Sequence, residues 1–354
     1  MGNYGKKKNV LIVSFKFHPG HISHLLASYK QMEDIGYNPI LWVHKHSLSF
    51  IDRGLNIITN RKYLPKTVDF AFFLFPNYRN ILEILYLKIL KKSHVIYFFH
   101  EPLTEISIYR KAGFSLFQIL RLYIGLFIDA IVVRLVDVII LPSNKAYQYY
   151  SENRFYINNK VHYIPLMYDE EDFALIQTKK RLYFSYIGTI APDHSFQEFL
   201  NFISDAIRYE KIPDVKFLIA TKSKFEVPLE LMNSSRVIIQ QGRALSDLEI
   251  NIFYAETIVV WNAYIRTTQS GVLAKSFMFG TPAIVMRYNL NVFTIDRQNV
   301  IAIDENKNYE QIENAIIEIK NNFMHYSLNC RNTFKKSFFY KNYNEKVKEI
   351  LINI

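Results

Sequence analysis

Two groups of residues in this 354-residue chain have the types and spacing to do chemistry. The first is imidazole. His18, His21 and His24 fall within seven residues, and His100-Glu101 follows a buried-looking apolar run. An imidazole or carboxylate at the end of a strand can take a proton from a hydroxyl. No Cys or carboxylate stands at ligand spacing beside the histidines, and no Asp-x-Asp pattern occurs, so no metal or other cofactor is expected. The second group is the polar turn Thr267-Thr268-Gln269-Ser270-Gly271, feeding a helix predicted over 272–279 that Gly280 and Pro282 close. A helix N-terminus presents unpaired N–H groups with partial positive charge behind them, and Gly271 lets a ligand approach the backbone. That turn is suited to an anion such as phosphate.

The elements that must position these groups read as alternating strands and helices. Apolar runs predict strands over 9–15, 39–43, 69–75, 94–99, 138–141 and 161–166, and again over 182–187, 215–220, 236–240, 257–261, 283–286 and 299–303. Helices are predicted between them, among them 22–35, 80–92, 114–135, 196–209 with Ser195 as cap, and 309–321, with a last helix over 337–351. Ser246 followed by Glu249 is a capping box. The acidic then basic stretch 167–180 divides the chain into two α/β halves. The length suits two domains, and ligands of open α/β sheets sit at the carboxyl ends of strands.

Composition narrows the function classes. Hydrophobic residues make up 50% of the chain, enough for two cores. The net charge of +11 points to an anionic partner: acidic lipid, phosphorylated substrate or nucleic acid. Nucleic acid is not expected, because the basic residues are dispersed and no binding motif is present. The lone Cys330 fits a reducing compartment. Lys6-Lys7-Lys8 precedes an apolar run too short for a signal peptide, which reads as the first strand. Arg121, Asp129, Arg134 and Asp137 interrupt the most apolar region, so no membrane-spanning helix is expected. Helices 80–92 and 114–135 are apolar around most of their circumference with basic residues at their ends. They suit either a core or attachment to an anionic membrane surface.

In the order and spacing of its motifs the chain resembles the GT-B glycosyltransferases, especially the retaining family-4-like enzymes of bacterial polysaccharide assembly. The segments that carry the resemblance are His18-Pro19-Gly20-His21, Tyr97-Phe98-Phe99-His100-Glu101-Pro102, Leu141-Pro142-Ser143, Ile164-Pro165-Leu166, Tyr186-Ile187-Gly188-Thr189, and Ser270-Gly271-Val272 through Gly280-Thr281-Pro282-Ala283-Ile284. The resemblance implies an α/β fold of two Rossmann-like domains with parallel sheets facing across a cleft. An acceptor-binding domain would span 1–168 and a nucleotide-sugar domain 178–336, with the C-terminal helix, 337–354, crossing back to the first. It implies a transferase that takes a nucleotide-sugar donor, UDP-linked, and a lipid-linked saccharide acceptor, at the cytoplasmic face of the cell membrane. Within it His100, His21 and Glu101 would be catalytic, and His18, Gly20 and His21 would meet the acceptor. Gly188, Thr189, Arg243, Tyr264, Arg266, Gln269, Ser270, Gly271 and Val272 would hold the donor.

The chain departs from that pattern at four positions. Thr189 and His194 stand where the family has an Arg and a Lys for the diphosphate, and Thr267 and Lys275 where it has two glutamates. Either Arg243 and Arg266, both in strand-end loops, replace the missing cations, or the chain is a non-catalytic subunit that scaffolds an active transferase. A sugar-nucleotide 2-epimerase would need active-site carboxylates for which the sequence offers no candidates. Lys275 is expected on the helix surface.

Overall fold

The computed structural model describes residues 7–51, 54–157, 160–170 and 179–354; Glu171 and Asp172 of the acidic stretch lie outside them. The chain forms two compact units. Unit 1 is Met1–Ser107, Ser115–Asp169 and Phe339–Ile354, and unit 2 is Ile108–Phe114 with Glu170–Phe338.

In unit 1 the elements run β1 (Asn9–Ser14), α1 (Ile22–Asp34), β2 (Asn38–Val43), β3 (Ile57–Ile58), β4 (Phe70–Phe73), α2 (Arg79–Leu90) and β5 (His94–Phe98). Then come α3 (Ile106–Lys111), whose last four residues belong to unit 2, α4 (Leu116–Leu135), β6 (Val138–Leu141), α5 (Asn144–Glu152) and β7 (Lys160–Tyr163). The seven strands form one parallel sheet in the order β3-β2-β1-β4-β5-β6-β7. Strands buried on both faces are continuous apolar runs rather than alternating ones. All six residues of β1 are buried, as are the four of β4.

Unit 2 repeats the plan with β8 (Tyr183–Ile187), α6 (Phe196–Arg208), β9 (Lys216–Ala220), α7 (Leu229–Met232), β10 (Val237–Gln240), α8 (Asp247–Glu256), β11 (Thr257–Asn262), α9 (Gly271–Met278), β12 (Ala283–Met286), β13 (Val300–Ile303), α10 (Tyr309–Asn321) and α11 (Phe323–Ser337). Its six parallel strands lie in the order β10-β9-β8-β11-β12-β13. Phe184, Phe199, Phe202 and Trp261 fill its core. The final helix, α12 (Asn344–Ile352), belongs to unit 1. Gln31 of α1 donates to the Tyr340 carbonyl at 3.1 Å, and Lys160 to the Asn353 carbonyl at 2.8 Å.

Three expectations are corrected. Ser195 does not cap α6. Its backbone is left-handed at φ 53°, and its hydroxyl accepts instead from Asn306 at 2.9 Å. The last part of the chain is two helices, α11 and α12, with a 3-10 turn at Tyr340–Tyr343 where a single helix from 337 was expected. Finally, α4 is long and apolar enough to cross a membrane. Only Arg121 and Asp129 fall within its first 18 residues, too few to interrupt it. The Ser115–Gln118 capping box starts it cleanly.

Candidate functional site

Each sheet reverses its winding at one point, and the candidate residues of each unit lie at or beside its own reversal. In unit 1 the reversal lies between β1 and β4, because β1 is flanked by β2 on one side and β4 on the other. The loops leaving β1, β4 and β5 carry His18 and His21, Phe75, and His100. The His21 ring lies flat on Phe75, with centroids 3.6 Å apart and planes 8° apart, and His18 stacks on His21 at 4.6 Å. His100 lies 6.4 Å from Phe75. His24, in the first turn of α1, meets Phe98 edge-on at 5.2 Å and donates from Nδ1 to the Met167 carbonyl at 2.9 Å. Gly20 is exposed in the turn between the first two histidines.

Two of these imidazoles, His21 and His24, are held neutral. Burial is the main cause for both His21 and His24, and it penalises the charged ring. His21 falls well below the ordinary histidine value, with repulsion from His18 and His100 adding to burial, and His24 falls to about 4. Among the described residues, His21 Nδ1 and His24 Nε2 are buried and make no hydrogen bond. A neutral imidazole nitrogen beside aromatic faces can accept a hydroxyl proton and pack against a sugar ring. Glu101 is about half exposed, with its carboxylate 3.9 Å from His100 Nδ1. Among the described residues no three His, Cys, Asp or Glu side chains converge as metal ligands.

In unit 2 the reversal lies between β8 and β11, and the loops leaving them carry most of the predicted donor residues. Gly188 sits at φ +141°, a backbone that side chains disfavour, and a Cβ there would lie 3.4 Å from Val272 of α9. The Thr189 carbonyl accepts from the Tyr186 hydroxyl at 2.9 Å and from His194 Nδ1 at 2.7 Å. His194 stacks on Tyr264 at 4.2 Å, and the Ile265 N–H donates to the Asp193 carbonyl at 2.8 Å. The loop after β8 is thereby tied to the loop after β11. Thr189 and His194, the positions where the family pattern has cations, serve that tie.

Ser270 caps α9. Its Oγ accepts from the Leu273 N–H at 3.3 Å and from Asn262 Nδ2 at 2.9 Å. The N–H groups of Gly271 and Val272 precede the first intrahelical bonds and remain the natural anion contacts. Asn262, Thr267, Gln269, Ser270, Asn289 and Thr294 line a pocket there, and Asn289 braces the wall by donating to the Tyr264 carbonyl at 2.6 Å. Arg266 is 4% exposed, with its guanidinium over the Tyr109 ring at 5.2 Å.

The two other cations singled out in the sequence are committed elsewhere. Arg243 leaves β10, two strands from β8, and forms an exposed bidentate pair with the Glu249 carboxylate. Arg243, with help from the Ser246 N–H, holds Glu249 at about 2. Lys275 is not on the surface. It is 5% exposed, and its Nζ lies 3.0 Å from Asp247 at the start of α8. A lysine stem lies easily along apolar surface, but a buried ammonium needs a partner, and the fold supplies one 28 residues away. Gly188, Thr189, Tyr264, Ser270, Gly271 and Val272 therefore gather at one end of the unit 2 sheet, with Gln269 in the pocket wall. Phe75, Asn262, Asn289 and Asp247 join these sites without any local signal in the sequence. Phe75, Asn289 and Asp247 meet partners from other elements, whereas Asn262 meets Ser270 eight residues on in the loop that leaves its own strand.

No family model and no curated protein sequence matches the chain. Solved structures match along nearly all of it. Sucrose-phosphate synthase from Thermosynechococcus elongatus superposes with a TM-score of 0.73 at 10% identity, covering 98% of this chain and 99% of that one. HepE from Anabaena, solved in complex with UDP and glucose, gives 0.69 at 12% identity over 98% and 100%. An alpha-glucosyltransferase in complex with UDP gives 0.67 at 12% identity, again over 98% and 100%. With the seven- and six-stranded parallel sheets, these likenesses identify the fold as GT-B.

Proposed function

We propose that this protein is a metal-independent glycosyltransferase that moves a sugar from a UDP-linked donor to an acceptor hydroxyl. The observation that carries the reading is the end of the unit 2 sheet. There a glycine whose positive φ disfavours a side chain, a Ser-capped helix N-terminus and a buried arginine in the adjoining loop meet at the switch point of a parallel sheet. That combination suits a diphosphate leaving group, whose charge is stabilised by fixed dipoles and a cation rather than by a metal. The likeness to proteins solved with UDP and with UDP-glucose supports the choice of nucleotide.

In the proposed reaction the acceptor oxygen attacks the anomeric carbon as the bond to the diphosphate oxygen breaks. The amides of Gly271 and Val272, with Arg266, take the growing charge. The acceptor proton must pass to a base, a role that the resemblance of the motifs gives to His21, His100 or Glu101. His18 and Gly20 stand at the same loop and would meet the acceptor. The acceptor we propose is a lipid-linked saccharide of capsule, O-antigen or exopolysaccharide assembly; this rests on the resemblance of the motifs.

Calorimetric titration with UDP, GDP and ADP tests the reading. UDP binding is expected, weakened by about 1–3 kcal/mol in Arg266→Ala, as the loss of a charge-assisted hydrogen bond would do. Absence of binding to all three nucleotides at millimolar concentration overturns it. A second reading, a non-catalytic GT-B subunit, is favoured by one observation: Lys275 and Asp247 form an ion pair where the family pattern has a glutamate. Under that reading no sugar is transferred from any UDP-sugar offered with lipid-linked acceptors.

A further inference from the structure

Helix α4 carries an apolar stripe that stays largely exposed, although Phe127 meets Phe155 edge-on at 5.9 Å. Leu116, Phe117, Leu120, Ile124, Phe127 and Ile131 are 46–76% exposed. Their three- and four-residue spacing puts them on one helical face, about 22 Å long at 1.5 Å per residue. Helix α2 packs against α4 and adds Leu82 and Ile89, each about two-thirds exposed. Monomeric surfaces seldom leave apolar side chains in such a continuous row.

The exposed charges of the two helices and the turn after α2 have one sign. Arg121 and Arg134 of α4 and Lys92 after α2 are exposed. The carboxylates of the two helices point inward. Asp129 is buried against Tyr97, and Glu83 is buried between Arg61 and Arg79. Asp137, just after α4, is tied to Lys88 at 2.6 Å. An outer face of leucine, isoleucine and phenylalanine, on helices whose own exposed charges are guanidinium and ammonium groups, complements an anionic lipid interface, where apolar residues enter the acyl boundary and cations meet headgroups.

The same helix is long enough to span a bilayer, but its inner face forbids that orientation. Ile119, Leu126 and Val133 are 6%, 3% and 0% exposed. Leu126 and Val133 lie in the unit 1 core, and Asp129 accepts from the Tyr97 hydroxyl of β5 at 3.3 Å. Pulling α4 into a bilayer would strip that core and carry a carboxyl group into hydrocarbon.

We infer that unit 1 docks on the surface of an anionic membrane through the outer face of α4 and α2, with α4 lying in the membrane plane. This goes beyond the transferase reading and stands whether or not a donor binds.

Flotation of the full chain with lipid vesicles tests it. Vesicles containing phosphatidylglycerol are expected to carry the protein up, and added salt to weaken the binding. Phe117→Asp with Ile124→Asp should cut the bound fraction about tenfold or more, since two apolar anchors are lost and negative charge is gained. Arg121→Glu, which leaves the apolar stripe intact, should weaken binding to phosphatidylglycerol vesicles and make it less salt-sensitive. Both variants change exposed positions, and an unaltered thermal melt confirms that they fold. Equal flotation with pure phosphatidylcholine overturns the electrostatic part. No flotation with either vesicle, or wild-type flotation of the double variant, overturns the docking face. A wild-type dimer that the double variant dissolves, without vesicle binding, reassigns the face to a second copy of the chain.

Discussion

The two units have the same parallel scaffold and put their candidate residues at the same topological place, yet they handle polar groups in opposite ways. Unit 2 pairs them. Arg181 donates to the carbonyls of Tyr254, Thr257 and Phe279 and to the Thr281 hydroxyl, and Lys275 meets Asp247. Unit 1, the Arg61–Glu83–Arg79 cluster aside, buries groups whose charged forms are disfavoured: His21 and His24 by the strand ends and the Asp129 carboxyl under α4. A charged ligand suits the first arrangement, where fixed donors are held in place. A neutral hydroxyl-bearing ligand suits the second, where imidazoles face aromatic rings.

That contrast can be broken most strongly at Arg181. Its substitution by Met leaves several backbone carbonyls without their donor and should lower stability by about 3–5 kcal/mol, read from denaturant unfolding. A loss below about 1 kcal/mol would show that unit 2 does not depend on its pairing.

The opposite behaviour is expected at Asp129. Burial raises its carboxyl from the ordinary 3.8 to about 7. Between those values the folded chain keeps a proton that the unfolded chain gives up, so this group's contribution falls as pH rises through that window. Asp129→Asn should remove the decline and stabilise the protein at pH 8 by on the order of 3 kcal/mol. Thermal melts of both proteins at acid and alkaline pH measure it, and a wild-type melt that does not differ from the variant's at pH 8 would refute it.

His24 has the reverse sign. Its value is depressed from 6.5 to about 4, so the unfolded chain binds the extra proton first. Stability tied to His24 is complete above about pH 6.5 and is lost as pH falls toward 4, by on the order of 3 kcal/mol. Comparing His24→Gln with wild type across that range isolates the term, because Asp129 pushes the other way. Equal acid slopes in the two proteins would mean that the buried imidazole is not what titrates.

The smallest expected effects sharpen the assignment in unit 2. Arg266→Ala should weaken UDP by about 1–3 kcal/mol, whereas Arg243→Ala, already engaged by Glu249, should change it by less than about 0.5 kcal/mol. The reverse order would move the phosphate contact to the end of β10.

Much of this was legible in the chain. Apolar runs gave most of the strands within a residue or two, because strands covered on both faces must be continuously apolar. The Ser246–Glu249 box and the Gly280 stop are local chemistry, and both stand as read. Gly280 takes φ +64°, and a Cβ there would lie 2.4 Å from the Ser327 hydroxyl. Ser195 shows the limit of a local signal: a serine before a helix caps it only when its backbone is extended, and this one is left-handed with its hydroxyl accepting from Asn306.

By itself, then, the sequence determined the alternation of elements, and with it the two parallel sheets whose strand ends carry the candidate loops. Which charged side chains face inward was decided only in three dimensions. Lys275 lies inside because Asp247 comes from another helix. The stripe on α4 is bare because the core takes the opposite face, whereas Arg243 stays exposed and is occupied by Glu249 only six residues on. Burial of a side chain depends on neighbours far away in sequence, and no local pattern encodes who those neighbours are.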